Sequence, residues 1–237
     1  MKSNDRPTDA AFGRRLNEFV RYAELKQLAY KIAALQQERR FHSLAVLSFL
    51  AGEGKTLLCA ALAAAYAETC RTRTLVVDST TLHHPGSLTL KECMDGSNAV
   101  VQVLTLDDIR KNSTTFAAPP PSRETPPAKG PVLEPDEVVH KDAVNLATPQ
   151  GNDLALLKRV AEDPSRQFGL IVLDTTPLSV KNKNNVDPLL LGHLADASLL
   201  VVSRKFLNAP TLKADLKVID DPGLHLIGVV SNEAFRS

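Results

Sequence analysis

The segment that most constrains the fold is a glycine-containing loop between a strand pattern and a helix pattern. Residues 43–50, SLAVLSFL, are a short continuous apolar run, which is typical of a parallel strand buried on both faces. The loop AGEG follows, and KTLLCAALAAAYAET then gives an Ala- and Leu-rich helical segment. A phosphate-binding loop of the pattern G-x-x-x-x-G-K-[ST] requires this order of strand, loop and helix. The segment therefore predicts a nucleotide site.

The loop matches the pattern at its end, with Gly54, Lys55 and Thr56, but Phe49 stands where the first glycine should be. Gly52 and Gly54 allow the backbone N–H groups to approach an anion at a helix N-terminus. Lys55 is expected to bridge the β- and γ-phosphates of ATP, and the Thr56 hydroxyl to ligate Mg²⁺. The missing glycine removes freedom at the loop entrance and none of these groups. The alternative is a chance helix start after a turn.

Apolar runs along the chain predict an α/β fold, a mostly parallel sheet with helices on both faces. Five candidate strands are SLAVLSFL, TLVVD ending at Asp78, GLIVLD ending at Asp174, ASLLVV (197–202) and LHLIGVV (224–230). Helical patterns alternate with them, notably at 24–38, 153–162 and 187–195. Ligands in such sheets bind at the carboxyl ends of the strands.

Two acidic residues stand at those strand ends. Asp174 is the candidate for the acid that binds Mg²⁺ through water, and Asp78 is a candidate to ligate the metal or orient an attacking group. For each, the alternative is a helix cap or a turn residue. Together with the loop, they predict a catalytic set of Lys55, Asp78 and Asp174, and a metal set of Thr56, Asp78 and Asp174.

The composition of the chain indicates which classes of partner and which cell compartment to expect. The 237 residues include 28 basic and 27 acidic ones, so the formal charge of +1 gives no electrostatic case for binding nucleic acid. No stretch approaches the ~18 apolar residues of a membrane span, so any membrane association is expected through a partner. Three cysteines without C-x-x-C spacing favour a reducing cytoplasm.

The domain organisation follows from composition shifts. Residues 1–23 are predicted to be an N-terminal extension and residues 24–237 a single domain. Residues 112–137 hold seven of the fifteen prolines and can bury little apolar surface, so they predict a disordered insertion. This insertion is interpreted as a solvated loop, with a docking segment for a proline-recognising partner as the alternative.

Taken together, these segments resemble the cytoplasmic domain of bacterial tyrosine kinases (BY-kinases), which belongs to the MinD/ParA-like P-loop ATPases. The similar segments are SFLAGEGKTLLCAALAAAYAE, TLVVDSTTLHHP, FGLIVLDTTP and LLVVSRKF with LHLIGVVSNEA. That family's loop typically reads S-x-x-P-G-E-G-K-S/T, without an obligatory first glycine. The resemblance therefore implies that Phe49 is compatible with a nucleotide site.

The resemblance also implies roles for single residues. Lys55 and Thr56 belong to Walker A, Asp78 is the first acid of Walker A′, and Asp174 is the Walker B acid. Asn232 matches an asparagine near the adenine, although a strand-end turn explains it almost equally well. The predicted ATP contacts are Gly52, Glu53, Gly54, Lys55, Thr56, Leu57 and Asn232.

The sequence also departs from the family. Thr80 replaces the second acid of D-x-D-x-R, and Leu50 stands at the place of the lysine that MinD and ParA reach across their dimer. The chain ends SNEAFRS without a tyrosine cluster, and the E-x-x-R-x-x-R of the N-terminal helix reads Glu24, Gln27 and Tyr30. The usual phosphate acceptors and ring contacts are thus absent from the sequence.

The resulting expectation is a cytoplasmic ATP-binding and ATP-hydrolysing regulator of capsular or extracellular polysaccharide assembly and export. Its implied partner is a membrane-spanning chain-length or export protein, which would bring it to the inner membrane, and a homo-oligomer is compatible with the family. The alternatives are a tyrosine kinase acting on other proteins, a non-catalytic nucleotide-binding scaffold, and a MinD/ParA-type positioning ATPase.

Overall fold

A computed structural model describes most of the chain on either side of the proline-rich segment. The described residues are 23–80, 89–90, 94, 100–111, 155–160, 168–180, 185–203, 217 and 223–232. The predicted insertion at 112–137 and nearly all of the predicted extension at 1–23 lie outside them.

Six strands form one sheet in the described part of the chain, and all of their pairings are parallel. The order across the sheet is β3-β2-β4-β1-β5-β6. The strands are β1 (Ser43–Ser48), β2 (Arg73–Asp78), β3 (Val101–Thr105), β4 (Phe168–Asp174), β5 (Ala197–Ser203) and β6 (Leu226–Asn232). The α/β fold and the parallel sheet predicted from the apolar runs are confirmed.

Helices cover both faces of this sheet. Those with defined bounds are α1 (Ala23–Arg39), α2 (Lys55–Cys70), α3 (Leu106–Lys111) and α4 (Pro188–Leu194), and residues 155–160 are also helical. α1 and α2 pack on one face, where alternate strand residues such as Val46 and Val172 meet Ile32 and Leu62. The opposite face packs on α3, residues 155–160 and α4. Alternation along each strand thus divides the core into two layers.

The alanine content of α2 explains its central position. Eleven of its residues are buried, and most of these are alanines that let the helix lie close to the sheet. Leu62 is completely buried there. A leucine side chain fully removed from water contributes about 1.5–3 kcal/mol of transfer free energy. Such burial holds the start of α2, and therefore the glycine loop before it, at a fixed place above the sheet.

Candidate functional site

The site lies at the carboxyl edge of the sheet, where β1 ends and α2 begins. Gly52 and Gly54 have φ angles of 81° and 87°, in the left-handed region that favours glycine. Gly54 caps α2 without a side-chain hydrogen bond, and the first turn of α2 carries no acidic residue. The positive end of a 16-residue helix therefore faces the loop without a negative side chain of its own. This arrangement suits an anion.

Phe49 belongs to the hydrophobic core. Its side chain is 4% exposed and packs with Leu47, Leu200 and Val202 in a cluster under the loop. The backbone carbonyl of Phe49 accepts a hydrogen bond from the Ser179 N–H at 2.9 Å. The residue at the place of the first glycine therefore anchors the loop entrance to the sheet.

Lys55 and Asp174 form the charged centre of the site. Lys55 is only 7% exposed, and burial lowers the pKa of its ammonium, although Asp174 opposes that shift. Burial likewise raises the pKa of Asp174 to about 6, with Lys55 acting against the rise and Asp78 adding to it. Each charge is thus desolvated and partly compensated by the other.

The second acid, Asp78, is the register partner of Asp174 on the adjacent strand. The hydroxyl of Ser79 donates to the backbone carbonyl of Asp174 at 2.6 Å, which fixes the ends of β2 and β4 against each other. Asp78 Oδ1 accepts from the backbone N–H of Thr80 at 2.9 Å. Thr80, which replaces the second acid of D-x-D-x-R, therefore helps to orient the Asp78 side chain through its backbone N–H.

The carboxylate of Asp174 is suited to a cation. Its Oδ1 is buried and has no hydrogen-bond partner in the described part of the chain. Thr56 and Cys59 contribute side-chain hydrogen bonds to the same carboxylate, and both lower its pKa. A buried carboxylate oxygen without a donor is costly unless a ligand satisfies it. With Thr56 and Asp78 nearby, the donor set is the hard oxygen type that Mg²⁺ prefers.

A cavity of about 200 Å³ opens beside the loop, between α1, α2 and the ends of β5 and β6. It is lined mainly by leucine and valine side chains, and Gly54 and Asn232 stand at its polar side. The apolar lining residues are Leu25, Leu28, Leu57, Leu58, Val201 and Val230. Leu57, predicted as a nucleotide contact, therefore faces a space that an apolar ring could fill.

Asn232 and Glu53 are joined to each other. The Asn232 side-chain amide donates to the backbone carbonyl of Glu53 at 2.9 Å. The Glu53 side chain is 1% exposed, and its two oxygens accept from the N–H groups of Leu50 and Ser203. The carboxylate of Glu53 is thus engaged within the protein, and any ligand contact of this residue would come from its backbone.

The structure places all the predicted site residues along one edge of the sheet, and their roles toward a ligand stay predictions. Sequence reasoning missed Cys59, Ser79 and Ser203. Cys59 follows Thr56 by three residues on α2, a spacing that places both on one helix face and was the available signal. Burial raises the pKa of the Cys59 thiol well above its ordinary value, and Asp174 raises it further, so it remains a hydrogen-bond donor.

In the described part of the chain, no helix is both long enough and apolar enough to cross a membrane.

Comparison with known proteins gives structural neighbours only. No protein-family model matches the chain, and no curated protein matches it. The kinase domain of the Escherichia coli tyrosine kinase ETK superposes with a TM-score of 0.54 at 16% identity, covering 90% of this chain and 75% of that one. The VpsO kinase domain gives 0.51 at 17% identity, covering 92% and 96%. The BceF tyrosine kinase domain gives 0.54 at 16% identity, covering 88% and 75%. The chain therefore has the fold of these kinase domains, as its resemblance to bacterial tyrosine kinases predicts.

Proposed function

We propose that the protein binds and hydrolyses ATP with Mg²⁺ and acts as a cytoplasmic regulator of extracellular or capsular polysaccharide assembly and export. The observation that carries the ATP-binding part is the electrostatic interaction between two buried side chains, Lys55 at the start of α2 and Asp174 at the end of β4. A buried lysine beside a buried strand-end acid, above a loop with two left-handed glycines, is suited to bind the phosphates of a nucleotide and its metal ion.

In this proposal, the loop and the first turn of α2 bind the phosphates through backbone N–H groups. Lys55 neutralises charge that develops on the transferred phosphoryl group. Thr56, Asp174 and Asp78 would hold Mg²⁺, which supplies further positive charge at the β- and γ-phosphates. The adenine ring would occupy the apolar cavity beside Asn232, where Leu57 and Val230 contact it.

The burial of Asp174 supports a role for it in this chemistry. With a pKa of about 6, its carboxylate is ionised at neutral pH and has one oxygen without a donor. That oxygen is a suitable acceptor for the metal or for water bound to it. Asp78, on the adjacent strand, can orient a water molecule for attack on the γ-phosphate, and the proposed activity therefore includes hydrolysis.

The experiment that tests the biochemical part uses the purified protein with Mg²⁺ and γ-labelled ATP, following free phosphate and protein-bound label together. We expect free phosphate that is lost in Lys55→Ala and retained in Lys31→Ala, which removes an exposed lysine of α1. Label on the protein, or on a co-expressed protein, would instead favour a tyrosine kinase. ATP binding without either product would favour a scaffold.

The polysaccharide role and the membrane-spanning export partner rest on the resemblance to BY-kinases. A strain lacking the gene is expected to change the amount or chain length of its extracellular polysaccharide. Wild-type protein should restore it and Lys55→Ala should not. Restoration by Lys55→Ala would show that any such role is independent of nucleotide, and an unchanged polysaccharide would reject the role.

A further inference from the structure

We propose that Glu53 is a positioning residue, whose buried carboxylate holds the entrance of the phosphate loop against the end of β5. This inference deepens the proposed function and rests on it, because it concerns how the nucleotide loop acquires its shape. It goes beyond the sequence prediction, in which Glu53 is one of the ATP contacts.

The contacts of the Glu53 carboxylate define this role. Oε2 accepts from the backbone N–H of Leu50 at 2.9 Å, and Oε1 accepts from the backbone N–H of Ser203 at 3.1 Å. Leu50 opens the loop and Ser203 is the last residue of β5, 150 positions away from Glu53 along the chain. The two carboxylate oxygens therefore join parts of the site that sequence separates.

The backbone of Glu53 is held as well. Its carbonyl accepts from the side-chain amide of Asn232, the last residue of β6. Residue 53 is thus fixed by its carboxylate to β5 and by its carbonyl to β6. An added Cβ at the next residue, Gly54, would lie 2.2 Å from the Asn232 Nδ2 atom, so the amide occupies the space above that glycine.

Burial and charge explain why an acid is needed. The side chain is 1% exposed, and a buried carboxylate is stable only where donors satisfy it. Its two N–H partners do so, and the nearby charge of Lys55 compensates it further. Each oxygen accepts a charge-assisted hydrogen bond that fixes the loop before a nucleotide arrives, so less ordering is required on binding.

Phe49 immediately precedes Leu50, whose backbone N–H donates to the Glu53 carboxylate. In the pattern G-x-x-x-x-G-K-[ST], the first position is a glycine, and here it is a core phenylalanine. The Leu50 N–H next to it is used by Glu53. We therefore expect the conformation of this loop to be determined by the Glu53 carboxylate together with the two later glycines.

The test compares wild-type protein with Glu53→Gln, Glu53→Ala and a matched control, Glu68→Gln. The glutamine is close in shape but offers one of the two N–H groups a donor in place of an acceptor. Glu68 lies in the last turn of α2, the helix that follows the loop, and its side chain is 56% exposed. Affinities for ADP and for a non-hydrolysable ATP analogue are measured with and without Mg²⁺, alongside amide exchange in the nucleotide-free protein.

For a positioning residue, Glu53→Gln should raise the dissociation constants of both nucleotides by a similar factor, roughly tenfold or more, with or without Mg²⁺. Amide exchange should accelerate at Leu50 and Ser203, while amides of the core strands stay protected. Glu68→Gln should leave both measurements unchanged. If Glu53→Ala does not fold, Glu53→Gln alone carries the test.

Three results would overturn the inference. A loss of affinity seen only with Mg²⁺ would make Glu53 a metal contact. Unchanged affinity together with reduced global stability would make it a structural residue only. Unchanged exchange at Leu50 and Ser203 would show that its carboxylate does not hold the loop. If wild-type protein binds no nucleotide, the proposed function fails, and the exchange measurement still decides whether Glu53 holds the loop.

Discussion

Asp78 and Asp174 are direct register partners on the adjacent parallel strands β2 and β4, so two carboxylates end at the same level of the sheet. Both side chains are 2% exposed. Burial is the main reason that the pKa of Asp174 rises from 3.8 to about 6, and the neighbouring charge of Asp78 adds to the rise. The protein therefore keeps a repulsive pair where a cation would be useful.

We expect Asp78→Asn to stabilise the nucleotide-free protein and to reduce phosphate release. Removing one of two facing charges should raise the free energy of unfolding at pH 8 by about 1 kcal/mol. Because Asp174 becomes protonated as pH falls through about 6, the gain should disappear in acid. Denaturant unfolding of both proteins at pH 8 and pH 5 measures this. A variant that is less stable than wild type at pH 8 would contradict the repulsion.

The two loop glycines should respond differently to alanine. Both have positive φ, which costs an alanine about 1–2 kcal/mol. At Gly52 nothing lies within 4 Å of an added Cβ, whereas at Gly54 it would meet the Asn232 amide. Gly54→Ala should therefore lower the free energy of unfolding by about 1 kcal/mol more than Gly52→Ala, because it disrupts the hydrogen bond from the Asn232 amide to the Glu53 carbonyl. Thermal unfolding without nucleotide compares them, and equal losses would argue against the close approach.

At the opposite edge of the sheet, Asp196 should contribute stability that depends on pH. Partial burial acts to raise the pKa of Asp196, but hydrogen bonds from the His42 N–H and from Ser43 outweigh it, so the pKa lies below 3.8. This stability is fully present above pH 4 and is lost as pH falls through the lowered pKa of the folded protein.

Asp196→Asn should accordingly lower the free energy of unfolding by about 1 kcal/mol at pH 7, a figure that allows for solvent screening of this partly exposed carboxylate. The difference from wild type should shrink below pH 4, in urea unfolding at a series of pH values. Asp107→Asn, which removes an exposed ion pair with Arg110, is the control and should change stability little. A constant difference at all pH values would reject the charge-dependent part.

Thr74 offers a prediction that is independent of function. Its side chain is completely buried in β2, and its hydroxyl has no hydrogen-bond partner among the described residues. Thr74→Val keeps the branched shape and replaces an unsatisfied hydroxyl with a methyl group. The substitution should raise the free energy of unfolding by about 1 kcal/mol, as measured with denaturant. A loss of stability would show that the hydroxyl is satisfied in solution.

Sequence patterns predicted the elements whose apolar residues are either continuous along a strand or regularly spaced along a helix. Strand β4 and helix α1 agree with the predicted GLIVLD and 24–38 segments to within one residue at each end. Strand β6 begins two residues later than LHLIGVV predicts and extends to Asn232. Strand β3 was missed, because it lies at the sheet edge with half-buried residues, and Gln102 interrupts its apolar run. A strand at the edge of a sheet is less buried and needs fewer consecutive apolar residues, so its sequence pattern is harder to recognise.

The candidate site was predictable where its chemistry is local. Lys55 and Thr56 follow from the loop, and Asp174 from the end of an apolar run. The contacts of Glu53 were not predictable, because its partner Ser203 lies 150 positions away and contributes only a backbone N–H. Any residue type except proline could supply that group, so no side-chain pattern reveals it. Phe49 likewise gains its meaning only from the core cluster beneath it.

The strand order has a consequence for synthesis of the chain. Strand β1 carries the phosphate loop near the beginning of the described chain, yet its two neighbours are β4 and β5, which begin at Phe168 and Ala197. A chain emerging from the ribosome therefore presents a strand that is wholly buried in the folded protein more than a hundred residues before either neighbour exists. Until then, α1 and α2 are the available cover for it, and a chaperone that binds exposed apolar segments would compete with them for β1.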